Sequence, residues 1–426
     1  MLKEQGMKAK SVVLRNGWII DPAQGINRTA DVLLTDGIVK AIGPDISAVD
    51  AEVIDCAGNW VIPGLIDAHC HLREPGFERK ETIETGTMAA ARGGFTTVVA
   101  MANLNPVPDN ANVYRRIREI IAQKAVVRVV QAAGVTQDLK GRDLSDMATL
   151  AAEGVRIFSD DGYPIERASI LYQALQMSRK LNLIISVHEE DAALKGYWPT
   201  AYEPMNEYIL LNRDLEVLRA TGGHLHVQHL SAARSVELVR AAKKEGLKVT
   251  AEVCPHHLTL TRDDLAIRGT NAKMAPPLRD REDIEALLQG LNDGTIDFIA
   301  TDHAPHTSDD KGGPFDQAAN GIVGFETAFA VLLTKLVHER GMSPSWLIEK
   351  MTIKPANVLG LPGGTLAIGS PADVCVVDPH REWVVDSAKF ASMGRNTPYQ
   401  GMKMKGCVLL TFVGGNKVFD GRKEAI

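Results

Sequence analysis

Residues Leu65 to His71 read LIDAHCH, a short apolar run that ends in two histidines flanking a cysteine. Side chains two apart on a strand share a face, so His69 and His71 can present two imidazoles to one ion. Cys70 then points the other way, as a small packing residue. Seven similar runs follow: TTVVAMA, RVVQAAG, VRIFSD, LIISVHEE, HLHVQHLS, KVTAEVC and DFIATDHA. Segments with helical spacing, such as YRRIREIIAQKA and SVELVRAAKKEGL, lie between them. Near-continuous apolar strands alternating with helices imply a parallel sheet covered on both faces, and eight of them predict closure into a (β/α)8 TIM-like barrel over residues 62–362.

Outside this middle the rhythm changes. Residues 1–61 contain short alternating strands broken by Asn-Gly and Asp-Gly turns, and residues 363–426 repeat that pattern between Gly and Pro. The two ends are expected to form one small β-sandwich domain built from both termini.

Composition narrows the function. The 426 residues carry a net charge of −6, with 45% hydrophobic and 23% charged residues, and no basic cluster. Nucleic acid and membrane surfaces are therefore not expected partners. No apolar run approaches the roughly 20 residues of a spanning helix, and the start, MLKEQGMKAK, lacks an apolar signal core. Five scattered cysteines without a CxxC pair fit a reducing cytoplasm.

Seven of the twelve histidines fall at or just past the ends of the strand-like runs: His69, His71, His188, His229, His256, His257 and His303, with His306 close behind. Active sites of eight-stranded barrels gather at that end. His188 and His229 close the fifth and sixth runs, and Asp302 closes the eighth beside the first. Imidazoles plus a carboxylate suit Zn²⁺, or less specifically Mn²⁺ or Co²⁺. In Ser159-Asp160-Asp161-Gly162, only one aspartate can face the centre, and strand alternation leaves open which; a turn or capping role is natural for Asp160. His303 is expected to point away from Asp302, while His224 and His226 lie early in their strand and read as buried and hydrogen-bonded. His256 and His257 are as readily structural as functional.

The string HCHLREPG (His69 to Gly76), followed in order by KETIETGT, GGFTTVVAMAN, PVPD, FSDDG, AEVCPHHL, PPLR, IATDHAPH and GIVGFETAF, resembles the bacterial class I dihydroorotases of the amidohydrolase superfamily. The resemblance covers nearly the whole chain. It implies reversible, metal-assisted interconversion of N-carbamoyl-L-aspartate and L-dihydroorotate in pyrimidine biosynthesis, with one or two Zn²⁺ per subunit. By position it implies that His69, His71 and Asp302 hold a first metal, that His188 and His229 hold a second, and that Asp161 bridges them where related enzymes use a carbamylated lysine. Asp302 would carry the proton. Arg73, Asn103 and His306 would grip the substrate carboxylate, and a mobile loop at about 307–322 would turn on Gly312, Gly313 and Gly321. A homodimer and a complex with aspartate transcarbamoylase are the partners the family suggests.

The chain departs from the family pattern at Ala275, where KMNPPLR carries an asparagine that contacts the substrate ring, although Asn271 lies nearby. MAN (Met101 to Asn103) replaces MPN, and the link between His188 and His229 is short. Two rival readings follow: a sister enzyme acting on a hydantoin, dihydropyrimidine or allantoin, or a non-catalytic dihydroorotase-like partner of aspartate transcarbamoylase. FSDDG and the arginine of REPG weigh against the first; the presence of all six expected ligands weighs against the second.

Overall fold

In the computed structural model, residues 11–191, 194 and 203–422 are described. The opening MLKEQGMKAK and part of the link after His188 lie outside them. Five strands come first: β1 (Val12–Asp21), β2 (Ile26–Thr35), β3 (Ile38–Gly43), β4 (Glu52–Asp55) and β5 (Trp60–Pro63). The chain ends with β14 (Val374–Val384), β15 (Lys403–Val413) and β16 (Asn416–Asp420). These eight form one sheet in the order β16-β15-β14-β5-β1-β2-β3, with β4 paired to β1. The sheet folds back on itself: Val39 N–H donates to Ser370 O at 2.9 Å, and Ile19, Val32, Val374, Leu410 and Phe412 share one apolar core. The β-rich ends therefore meet, as alternation at both termini predicts.

Between them run β6 (Leu65–Cys70), β7 (Phe95–Ala100), β8 (Arg128–Gln131), β9 (Ile157–Ser159), β10 (Ile184–Val187), β11 (Leu225–Val227), β12 (Val249–Val253) and β13 (Phe298–Ile299). All eight fall on the runs read from the sequence. Pairing is parallel within β6-β7-β8 and within β9 to β13. Two bridges close the ring, Ala133 with Phe158 and Cys70 with His303.

Alternation sorts the side chains by face. Ile185, Val187, Leu225, Val227, Val249 and Ala251 join the large core shared with the surrounding helices. Their neighbours Ser186, His226, Thr250 and Glu252 therefore point towards the barrel axis. The axis is thus mixed: these polar groups share it with a buried apolar cluster that includes Val99, Met101, Ile157, Ile184 and Phe298, so apolar residues fill only part of it. Those polar groups are satisfied: His224 Nε2 and His226 Nδ1 both meet Thr250 Oγ1, at 3.0 and 2.9 Å, and His226 Nε2 meets Glu252 at 3.2 Å.

The seam between first and last strands depends on Asp67. Its carboxylate accepts the Thr301 N–H at 2.7 Å and the Thr301 hydroxyl at 2.8 Å, and His71 N–H donates to His303 O at 2.8 Å just above. Asp67→Ala would leave a buried N–H and hydroxyl unpaired, a loss of about 2–3 kcal/mol. Guanidinium denaturation of metal-stripped protein should show that loss at unchanged slope; a change below about 0.5 kcal/mol would mean that Asp67 does not hold the seam.

Candidate active site

The strand ends deliver the expected side chains to one place. His69 Nε2 lies 3.4 Å from Asp161 Oδ1 and 3.6 Å from Asp302 Oδ1. His71 Nε2 is 3.0 Å from Asp302 Oδ1 and 3.3 Å from Asp161 Oδ2. On the other side, His188 Nδ1 and His229 Nε2 each stand 3.7 Å from Asp161 Oδ1, and 3.0 Å from one another. Asp161 sits at the centre with all four imidazoles around it. Asp160 instead accepts the N–H groups of Val135 and Thr136 at 2.8 and 3.0 Å, so it ties down the preceding loop. The choice that strand alternation left open falls to Asp161.

Three of the local backbones are strained. Arg73, His229 and Asp302 have φ of 62°, 30° and 49°, left-handed values that non-glycine residues hold at roughly 1–3 kcal/mol each. Surrounding contacts overcome that cost, and the result is that each side chain turns from the end of its element into the barrel mouth.

Whether metal fits here can be read from the protons. His69 Nδ1 meets Glu252 Oε1 at 2.6 Å, and His71 Nδ1 meets Asn103 Oδ1 at 2.9 Å. Each ring donates N–H to that oxygen, which leaves the Nε2 lone pair aimed at the carboxylates. Lone pairs and carboxylate oxygens at 3.0–3.6 Å repel unless a cation lies between them. His69 Nε2 is buried without a hydrogen-bond partner among the described residues. His69, His71 and Asp302 form one group of converging donors, and His69, Asp161 and His229 form another. An all-nitrogen-and-oxygen donor set of this kind fits one or two divalent ions.

Glu252 was not singled out in the sequence, although a lone carboxylate inside the apolar run KVTAEVC is its signal. Burial would push its carboxyl up, but His69 and His226 hold it down to about 2. Glu190, beside His188 at 3.4 Å, was also missed. His303 points away from the site as expected: it stacks on Phe325 at 4.1 Å and accepts the Gly324 N–H at Nδ1. His256 and His257 are buried behind the mouth, with His257 Nε2 donating to Pro276 O at 2.9 Å.

Above the donors opens a cavity of about 630 Å³, lined by Arg73, Asn103, Glu190, Ala275, His306 and Asn320 among others. Arg73 is only 9% exposed, a buried guanidinium and not a surface charge. It donates to Pro305 O at 3.3 Å and lies 3.4 Å from His306 Nε2. Lys80 Nζ approaches His306 Nδ1 at 3.2 Å. Burial, then the charges of Arg73 and Lys80, push His306 down to about 3, so it is a neutral ring in a cationic corner. Asn103 spends its carbonyl oxygen on His71 and keeps its amide N–H groups for a ligand.

The segment after Thr307 packs over this cavity. Lys311 Nζ donates to the carbonyls of Lys273, Ala319 and Gly321 at 3.1, 2.8 and 2.9 Å, and Lys273 Nζ returns bonds to those of Phe315, Asp316 and Ala318. Gly313 and Gly321 have φ of 79° and 124°, whereas Gly312 at −77° takes a conformation open to any residue. A Cβ at Gly321 would also lie 2.7 Å from that of Ala304.

Residues 60–418 match the amidohydrolase family. Over 416 residues the chain is 46% identical to a dihydroorotase of Thermoanaerobacter sp. (strain X514), covering 95% of this chain and 96% of that one. It is 44% identical over 425 residues to the dihydroorotase of Halalkalibacterium halodurans, covering 97% and 99%. Among solved structures it resembles the L-hydantoinase (dihydropyrimidinase) from Arthrobacter aurescens, with a TM-score of 0.88 and 28% identity over 97% of both chains.

Glu252→Gln keeps the shape of the contact to His69 but not its charge. The first divalent ion should then bind tenfold or more weakly, as measured by competition with a chromophoric chelator. Unchanged affinity would show that Glu252 does not orient His69.

Proposed function

The chain belongs to the amidohydrolase family, and from that premise we propose that it is a dihydroorotase, interconverting N-carbamoyl-L-aspartate and L-dihydroorotate in pyrimidine biosynthesis. The observation that carries this reading within the family is the pairing of an aspartate-centred donor cluster with a cationic corner. Arg73 offers N–H groups on one wall of the cavity, with the neutral ring of His306 beside it, and Asn103 offers its amide. A guanidinium fork matches a carboxylate bidentately, so this corner favours an acidic ring over a neutral one.

His69, His71 and Asp302 would hold one divalent ion and His188 and His229 a second, with Asp161 between them; Zn²⁺ is the ion this donor set suits. Such ions, when bound, supply Lewis acidity at the carbonyl and make water acidic enough to attack at neutral pH. The remaining work falls to the protein. Arg73, His306 and Asn103 fix the carboxylate and so the orientation of the ring. Asp302 keeps Oδ1 against His71 and presents its other oxygen to the reacting atoms. That oxygen takes the proton of the attacking water and passes it to the leaving ring nitrogen; in the direction of cyclisation it returns the proton that releases water. Buried Glu252, Asn103 and the seam at Asp67 keep the imidazoles in place while this happens.

The hydantoinase-like structures share the barrel. Two features separate the readings: the central carboxylate is Asp161, and no lysine lines the cavity among the described residues. A second copy of the chain and an aspartate transcarbamoylase are the proposed partners, and the cytoplasm the proposed location, in keeping with five cysteines that form no disulfide among the described residues. No helix among the described residues is long and apolar enough to cross a membrane.

Purified protein supplied with Zn²⁺ should turn over dihydroorotate and leave dihydrouracil, hydantoin and allantoin nearly untouched. Preference for a neutral ring would move the assignment to the sister enzymes, and turnover of none would favour a scaffold. Asp302→Asn should retain most of its metal while losing at least about a hundredfold in kcat. A variant that keeps more than about a tenth of the rate would exclude Asp302 as the proton carrier.

A further inference from the structure

Apart from the donors at the barrel mouth, one more set of metal-binding side chains converges. Strand β12 runs into a short helix, Pro255–Thr259, and the junction carries Cys254, His256 and His257. One donor atom from each lies within 4.8 Å of the other two. All three residues are buried, at 0%, 1% and 3% exposure. The convergence is local. His257 N–H donates to Cys254 O at 3.1 Å, a tight turn that folds residue 257 back onto residue 254, and the two imidazole centroids stand 4.3 Å apart.

The protons tell what the cluster lacks. His257 Nε2 gives its N–H to Pro276 O at 2.9 Å, a carbonyl that can only accept. Burial pushes this ring well below its ordinary range, so it is neutral and Nδ1 carries a bare lone pair. That nitrogen is buried without a hydrogen-bond partner among the described residues, and so is His256 Nε2. Cys254 Sγ makes no hydrogen bond among the described residues either, whereas Cys70 Sγ donates to Val99 O at 3.3 Å. Buried polar atoms left unpaired are uncommon and costly. One cation would satisfy two lone pairs and a thiol together. An imidazole held through its far N–H by a backbone carbonyl is also the usual posture of a metal-bound histidine.

This donor set differs from the nitrogen-and-oxygen set at the mouth, because thiolate sulfur selects Zn²⁺ over harder ions such as Mg²⁺ or Mn²⁺. We propose that Cys254, His256 and His257 form a further cation site, for one thiophilic divalent ion such as Zn²⁺, separate from the ions held between His69 and His229. The S–Zn bond forms as the Cys254 S–H bond breaks, and the proton leaves to solvent, so each ion taken up releases one proton. Water takes the fourth tetrahedral position. Through Pro276, which His257 holds, the ion braces the segment that carries Ala275 and so one wall of the cavity.

Zinc-edge X-ray absorption of the zinc-saturated full chain tests this without any variant. The ions at the mouth have only nitrogen and oxygen ligands, at ~2.0–2.2 Å, so a sulfur shell at ~2.3 Å should appear beside them. Cys254→Ser should remove that shell and lower the zinc content by one ion per chain in elemental analysis. With Co²⁺ in place of Zn²⁺, the wild type should show a near-ultraviolet thiolate-to-cobalt charge-transfer band that Cys254→Ser lacks. The visible absorption of cobalt on nitrogen and oxygen should remain in both. A zinc-saturated wild type with no sulfur shell would overturn the proposal, whether or not the variant folds. A sulfur shell or charge-transfer band that survives in Cys254→Ser would overturn it too, since another thiol would then be the ligand. None of these measurements uses substrate, so either result would leave the dihydroorotase assignment standing.

Discussion

Everything at the mouth of this barrel follows from one electrostatic demand. Lone pairs of His69 and His71 and the oxygens of Asp161 and Asp302 are forced within 3.0–3.6 Å of each other, where they repel unless positive charge lies among them. Removing charge from water is expensive, and a buried carboxylate cluster persists only with partners. The fold holds the demand in place through contacts one layer out: Glu252 on His69, Asn103 on His71, and Asp67 across the seam.

That second layer explains which parts of the molecule were legible in the sequence. The eight strands were, because each is a short run of Val, Ile and Ala ending in a polar residue. His69 and His71 were, because spacing of two on a strand puts both on one face. Asp161 over Asp160 was not, since alternation permits either; a loop contact decides it, the N–H groups of Val135 and Thr136 claiming Asp160. Glu252 is a single charge in an apolar run, and its target lies 183 residues away in sequence. Contacts of this sort depend on three-dimensional closure, which composition and periodicity do not encode.

The polar groups on the barrel axis have the same origin. His226, Thr250 and Glu252 interrupt the apolar cluster that fills the rest of the axis, but they form a connected chain that ends on His69. A methyl-lined axis would pack as well and would leave the imidazole of His69 free to rotate. The strained backbones of Arg73, His229 and Asp302 belong to the same bargain, in which some intrinsic stability is given up for direction.

His69 and Asp302 sit on opposite sides of the seam, on the first strand of the ring and just past the end of the last, with more than 200 residues of chain between them. An ion gripped by both is therefore a fastener for the ring as well as a reagent. Ligand that binds only the closed state adds to its stability by mass action, about 2.7 kcal/mol at a hundredfold excess over the dissociation constant. During synthesis the donors of β6 emerge long before β13, so a growing chain can neither complete the site nor hydrolyse anything with it. Competence would arrive with the final strand of the ring, and a bound ion would set how firmly the newly closed ring stays shut.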